Sequence, residues 1–189
     1  MDKLFSYPIT SKQEQSSELL RLDISNFGDA ITYLKKLPYG RNSHRGDYTL
    51  VLKEQKGTCS TKHAFLAAMA KENNIPDVKL FLGFYKMSEI NTQGVGIILD
   101  KWDLSYIPEA HCYLKINETI VDITKESTNK ESFSHSIIYE EEIKPSQINH
   151  YKVEKHQSYL KKWLLETSIP YSFKDIWKIR EACIDNLSQ

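Results

Sequence analysis

The chain has 189 residues, 40% of them hydrophobic, which is enough apolar material for one core and one domain. Seven glycines and six prolines exclude collagen-like and low-complexity arrays, and 25 Lys+Arg against 25 Asp+Glu leave no net charge to draw a duplex nucleic acid or an anionic membrane. No apolar run approaches the roughly 20 residues that cross a bilayer; MDKLFSYPITSKQEQ lacks the apolar stretch of a secretory signal; and three cysteines are too few, and odd in number, for a disulfide framework. A cytoplasmic protein with reduced thiols is the expectation.

The first 20 or so residues are polar and without a period, and are expected to form an arm over the core. Phe27, Ala30, Ile31, Leu34 and Leu37 recur at helical spacing. Asp23 or Ser25 could cap that helix, and Pro38-Tyr39-Gly40 ends it. After the polar loop RNSHRGD, Asp47 could cap the short segment TLVLKEQ. CSTKHAFLAAMAKEN then holds neither Gly nor Pro and is rich in helix formers. Its apolarity all round predicts a helix deep in the protein, with Ala64, Phe65, Ala68 and Met69 buried and Asn73-Asn74-Ile75-Pro76 as its stop.

VKLFLGFYKM, Val78 to Met87, reads as a strand. The long connection that follows offers a short strand at VGIIL. HCYLKI and TIVDIT read as two arms of a hairpin about Asn117-Glu118, and HSIIYEEEI as a further strand. Two helices close the chain. One carries His156, Tyr159, Leu160, Trp163 and Leu164 on a face. The other is opened by Ser172 with Asp175 in a capping-box spacing. Phe173, Ile176, Trp177, Arg180, Cys183 and Leu187 trace one side of it.

The chemistry concentrates at Gly57-Thr58-Cys59. A thiol at the opening of a helix lies among N–H groups without intrahelical acceptors and at the positive end of the helix dipole, and both favour a thiolate. His111 lies on a predicted strand and Asp122 on its partner. A two-residue loop at Asn117-Glu118 pairs Ile116 with Thr119 and sets His111 opposite Thr124. Asp122 is then a diagonal neighbour on the same face, about 7–8 Å away at the backbone. A loop one residue longer would put the two on opposite faces, unless a bulge intervened.

GTCSTKHAFL, then PEAHCYL, then VDIT resemble the transglutaminase-like superfamily, over roughly residues 25–125. The resemblance implies an α+β, papain-like fold in one domain over residues 1–189. The helix bearing the Cys would pack on an antiparallel sheet bearing the His and Asp, and a C-terminal helical extension would run from about 146. It also implies a role for each residue: Cys59 as nucleophile, His111 as base, Asp122 as the orienting acid. The expected activity is hydrolysis or acyl transfer on a peptide or small amide, without a cofactor. Cross-linking members carry Trp after the nucleophile, where Ser60 stands here, and their frequent His-Ala-Trp is His111-Cys112-Tyr113.

Other assignments stay open. Asn42, Arg41, Tyr39 and Gln55 are candidates for a second oxyanion donor, with Asn42 preferred for its place in the polar loop. His63, one turn beyond Cys59, could be a rival base or half of a metal site. No second Cys/His pair at short spacing completes such a site, so no metal is expected and His63 is placed near the cleft. Trp102 and Tyr113 are cleft candidates, whereas Cys112 and Cys183 read as core. Cys59 could also be a small buried residue suited to a helix start. The competing reading of the whole chain is a binding module that keeps the fold without the chemistry.

Overall fold

The computed structural model describes residues 5–126 and 131–187; the first four residues of the expected arm lie outside them. The architecture is α+β. Four strands form one antiparallel sheet in the order β3-β2-β1-β4: β1 (Val78–Met87), β2 (Ile107–Ile116), β3 (Thr119–Val121) and β4 (Ile137–Ile143). The chain divides into two compact units, Met1–Phe81 with Cys112–Glu126 and Glu142–Asn149, and Leu82–His111 with Ser127–Glu141 and His150–Gln189.

In the first unit, residues expected to form an arm fold as α1 (Glu14–Arg21). Gln13 offers this helix no side-chain cap. Its first amides, Gln15 and Ser16, instead donate to the carboxylate of Glu72, at 3.2 and 2.8 Å. A helix capped from so far along the chain leaves no local signature. Helix α2 (Phe27–Lys36) buries the expected stripe of Phe27, Ala30 and Leu34, but its cap is Asn26, not Asp23 or Ser25; the Asn26 amide oxygen accepts from Gly28 N at 2.8 Å. Asp47 accepts from Thr49 N at 2.9 Å and so organises the turn before α3 (Leu50–Lys53).

Helix α4 (Cys59–Glu72) is buried continuously from Cys59 to Ala70, as its all-round apolarity predicts. A helix buried on every face needs each polar side chain in it matched by a partner, and this organises the candidate site.

The β2–β3 hairpin has the two-residue loop and register read from the sequence: Ile116 pairs with Thr119, Lys115 with Ile120 and Leu114 with Val121. Asn117 and Glu118 take φ of 48° and 63°, the left-handed pair of a type I′ turn. Glu118 carries a Cβ where glycine is favoured. Glu118→Gly is therefore expected to stabilise the protein by about 1 kcal/mol, read as a higher urea midpoint at unchanged m-value. The ladder ends at Leu114–Val121, so Asp122 follows β3 and does not lie on it.

In the second unit, VGIIL is not a strand. It forms the one-turn helix α5 (Gly96–Leu99), followed by a 3-10 turn at Asp100–Trp102. Val95 and Leu99, four apart, are buried while Ile97 is 64% exposed, a burial pattern that period-2 alternation cannot give. Helix α6 (His150–Glu166) buries Lys152, His156, Leu160 and Trp163. Helix α7 (Phe173–Asn186) opens with the expected Ser172–Asp175 capping box and buries Ile176, Ile179, Cys183 and Ile184. Among the described residues no helix is long and apolar enough to cross a membrane.

Candidate functional site

The opening of α4 is built by its neighbours. Gly57 bridges in parallel to Tyr39, and a Cβ on Gly57 would come within 2.9 Å of both Lys62 Cγ and Thr61 Oγ1, so only glycine lets the chain pass. Thr58 and Thr61 cap each other: Thr58 N donates to Thr61 Oγ1 at 3.0 Å, and Thr61 N to Thr58 Oγ1 at 3.5 Å. Cys59 is thereby fixed as the first residue of a fourteen-residue helix, 8% exposed, with its sulfur 3.8 Å from Ser60 Oγ.

Asn42 supports this cap. Its amide oxygen accepts from Thr61 Oγ1 at 2.8 Å, and its amide nitrogen donates to Glu54 Oε2 at 3.1 Å and to Lys56 O at 3.0 Å. Both amide hydrogens are committed within the loop, which corrects the assignment of Asn42 as an oxyanion donor; it braces the start of the helix. Gln55, an alternative donor, gives an amide hydrogen to Leu52 O at 2.6 Å, and its Oε1 accepts from the Tyr33 hydroxyl at 2.9 Å.

His63 is fully buried and does not line a cleft, a second correction. Its Nε2 accepts from Ile123 N at 2.9 Å, which assigns the proton to Nδ1, and Nδ1 then donates to Cys59 O at 2.7 Å. The lone pair that a base would use is thus occupied by a backbone amide. His63 acts as a tie between α4 and the segment after β3. In that segment Asp122 Oδ1 accepts from Thr124 N at 2.9 Å and from Thr124 Oγ1 at 2.6 Å, and sits 3.4 Å from His63 Nε2. The Asp122 side chain is 30% exposed.

Lys62, which the sequence reading passed over, is a further buried polar residue of this stretch. It is fully buried, and its ammonium donates to Leu37 O at 2.6 Å and Thr124 O at 2.8 Å. Burial pulls its pKa down to about 8, against Asp122 and Cys59, whose ionised forms favour the ammonium. A lysine in the first turn of a helix whose body, Ala64 to Ala70, is apolar was the available signal.

The first unit therefore gathers Cys59, Lys62, His63 and Asp122. His111 lies on β2 in the second unit, half-buried, with its ring edge-on to Phe133 at 4.6 Å and to Tyr85 at 5.9 Å. Tyr85 is itself fixed by its hydroxyl, 2.9 Å from Thr92 Oγ1. Tyr113 is fully buried and stacked on Phe81, a core residue and not a cleft residue. Trp102 is 40% exposed and meets Tyr171 edge-on, the Tyr171 hydroxyl donating to Trp102 O at 2.9 Å. Cys112 and Cys183 are buried, and burial pushes the Cys183 thiol up to about 12, which keeps it protonated and unreactive.

Among the described residues no three His, Cys, Asp or Glu side chains form a group that could hold a metal ion. Compared with known proteins, the chain matches no family model, no curated protein and no solved structure.

Proposed function

We propose that the chain is a thiol-dependent hydrolase or acyltransferase acting on a peptide or small amide, with Cys59 as nucleophile, His111 as base and Asp122 as the orienting carboxylate. The observation that carries this reading is the position of Cys59: first residue of a long, capped, buried helix, at its positive end. A thiolate there would attack the acyl carbon and form a C–S bond, with the carbonyl oxygen becoming an oxyanion held by first-turn amides. Collapse would break the C–N bond, and the imidazolium of His111 would protonate the departing amine. Water or a second amine would then resolve the thioester, giving hydrolysis or transfer.

A second reading, a binding module that keeps the fold without the chemistry, is favoured by the 8% exposure of Cys59. Labelling with electrophilic acyl probes, followed by peptide mapping, separates the two. The enzyme reading expects modification at Cys59, abolished in Cys59→Ala and slowed about 100-fold or more in His111→Ala. Labelling at Cys112 or Cys183 alone, or a Cys59 no more reactive than in the unfolded chain, would sink it.

A further inference from the structure

A lysine can bury its carbon stem beside apolar side chains while its charged head stays in water. Lys62 does not: the residue is fully buried, ammonium included. Desolvating a cation is costly unless something in the fold uses it. Packing alone would be served as well by methionine, whose unbranched chain fills similar space. Two of the three ammonium donors go to Leu37 O, at the end of α2, and to Thr124 O, after β3. Neutral acceptors call for a donor and do not call for a charge.

The charge has other neighbours. Asp122, from the segment after β3, and Cys59, from the first turn of the same helix, are groups whose negative charge, once ionised, favours the ammonium. Residues three apart on a helix share a face, so Lys62 lies one turn behind the sulfur. The neighbouring His63 is neutral in its tautomer and adds no competing charge. We propose that Lys62 is a positioning residue for Cys59: its buried ammonium holds negative charge at the sulfur, and its two carbonyl hydrogen bonds fix where that ammonium sits. The inference rests on the reading of Cys59 as a nucleophile. It adds a cation to the site that the ordered Cys, His and Asp do not include.

Coupling between two titrating groups is reciprocal. If the ammonium favours the thiolate tenfold, the thiolate favours the ammonium by the same factor. Two measurements on the full chain read this from opposite sides. In the first, the rate of Cys59 alkylation by iodoacetamide is followed against pH in the wild type and in Lys62→Met. The expected result is a midpoint about one pH unit higher in the variant, and hence roughly tenfold slower alkylation at pH values below the wild-type midpoint. In the second, the Lys62 side chain is titrated by heteronuclear NMR in the wild type and in Cys59→Ala. Loss of the sulfur is expected to move the Lys62 midpoint, about 8 in the wild type, downward by the same amount.

A strut without an electrostatic role predicts no movement in either titration. An unchanged alkylation midpoint in folded Lys62→Met overturns the proposal, as does an unchanged Lys62 midpoint in Cys59→Ala. If Lys62→Met fails to fold, the second measurement decides, because it leaves the lysine in place. Acyl-probe labelling keeps the two readings apart. Labelling of Cys59 without coupling to Lys62 removes this inference and leaves the enzyme; coupling without acyl labelling does the reverse.

Discussion

Arg180→Ala is expected to destabilise the protein by about 3–5 kcal/mol, the range for removing one partner of a buried ion pair. Glu109, on β2, is 4% exposed, and Arg180, on α7, grips it with two parallel hydrogen bonds: Nε to Oε2 at 2.8 Å and Nη2 to Oε1 at 2.5 Å. A third donor, Nη1, reaches Glu181 at 2.6 Å, and the guanidinium lies 5.5 Å from the centre of the Trp177 ring. The planar fork matches the carboxylate in a way lysine cannot, so Arg180→Lys should recover only part of the loss. Alanine would leave a buried carboxylate facing a void. The exposed pairs Arg21–Glu18 and Lys162–Glu166 provide the control, since breaking either should cost about 0.5 kcal/mol or less. The double replacement of Glu109 and Arg180 by methionine should be far milder than either single truncation, because it removes the charge together with its partner. Urea midpoints at constant m-value measure all of these. A loss under 1 kcal/mol for Arg180→Ala would show that solvent screens the pair.

What could be read from the sequence follows the reach of each signal. The bounds of β1, the Asn117-Glu118 register and the Ser172 cap rest on residues within a few positions of one another, and all three stand in the structure. The α1 cap is Glu72, brought in by the packing of α4, so nothing near Gln13 announces it. Asn42 looked like a donor because it sits in a polar loop, but tertiary contacts with Glu54, Lys56 and Thr61 take up its amide. VGIIL has strand composition, yet its five residues bury at helical spacing, and runs so short cannot be assigned by periodicity. His63 and Lys62 share one lesson. A helix with an apolar body was legible, but which carbonyls and amides would meet these two polar residues was not, because those groups come from the ends of α2 and β3. The Glu109–Arg180 pair is likewise invisible in one dimension: Arg180 falls on the same side of its helix as Ile176 and Cys183, but its partner lies 71 residues away along the chain.

The same cluster should govern how the protein responds to acid. His156 is buried beside this pair, with Nε2 donating to Pro108 O at 2.9 Å and lying 3.9 Å from Glu109 Oε2. Burial lowers its pKa from 6.5 to about 4, against the pull of the Glu109 charge. Burial would raise Glu109, but the charge of Arg180, with His156 and Lys152 behind it and the guanidinium hydrogen bonds, overcomes that and holds the carboxyl at about 2, below its usual 4.5. Both groups bind protons less readily in the folded chain than in the unfolded one. The stability these two groups contribute is therefore fully present above pH 6.5, falls through His156 between about 6.5 and 4, and falls again through Glu109 between about 4.5 and 2. Each step is worth on the order of 3 kcal/mol, from roughly 1.4 kcal/mol per pH unit of displacement. Urea midpoints at pH 7, 5 and 3 should therefore descend in two stages. His156→Gln keeps a donor toward Pro108 O without the titration, so it should flatten the upper stage and spare the lower. A wild-type midpoint that stays level from pH 7 to pH 4 would mean that His156 takes up its proton as easily in the folded chain as in the unfolded one, and that the cluster is open to water.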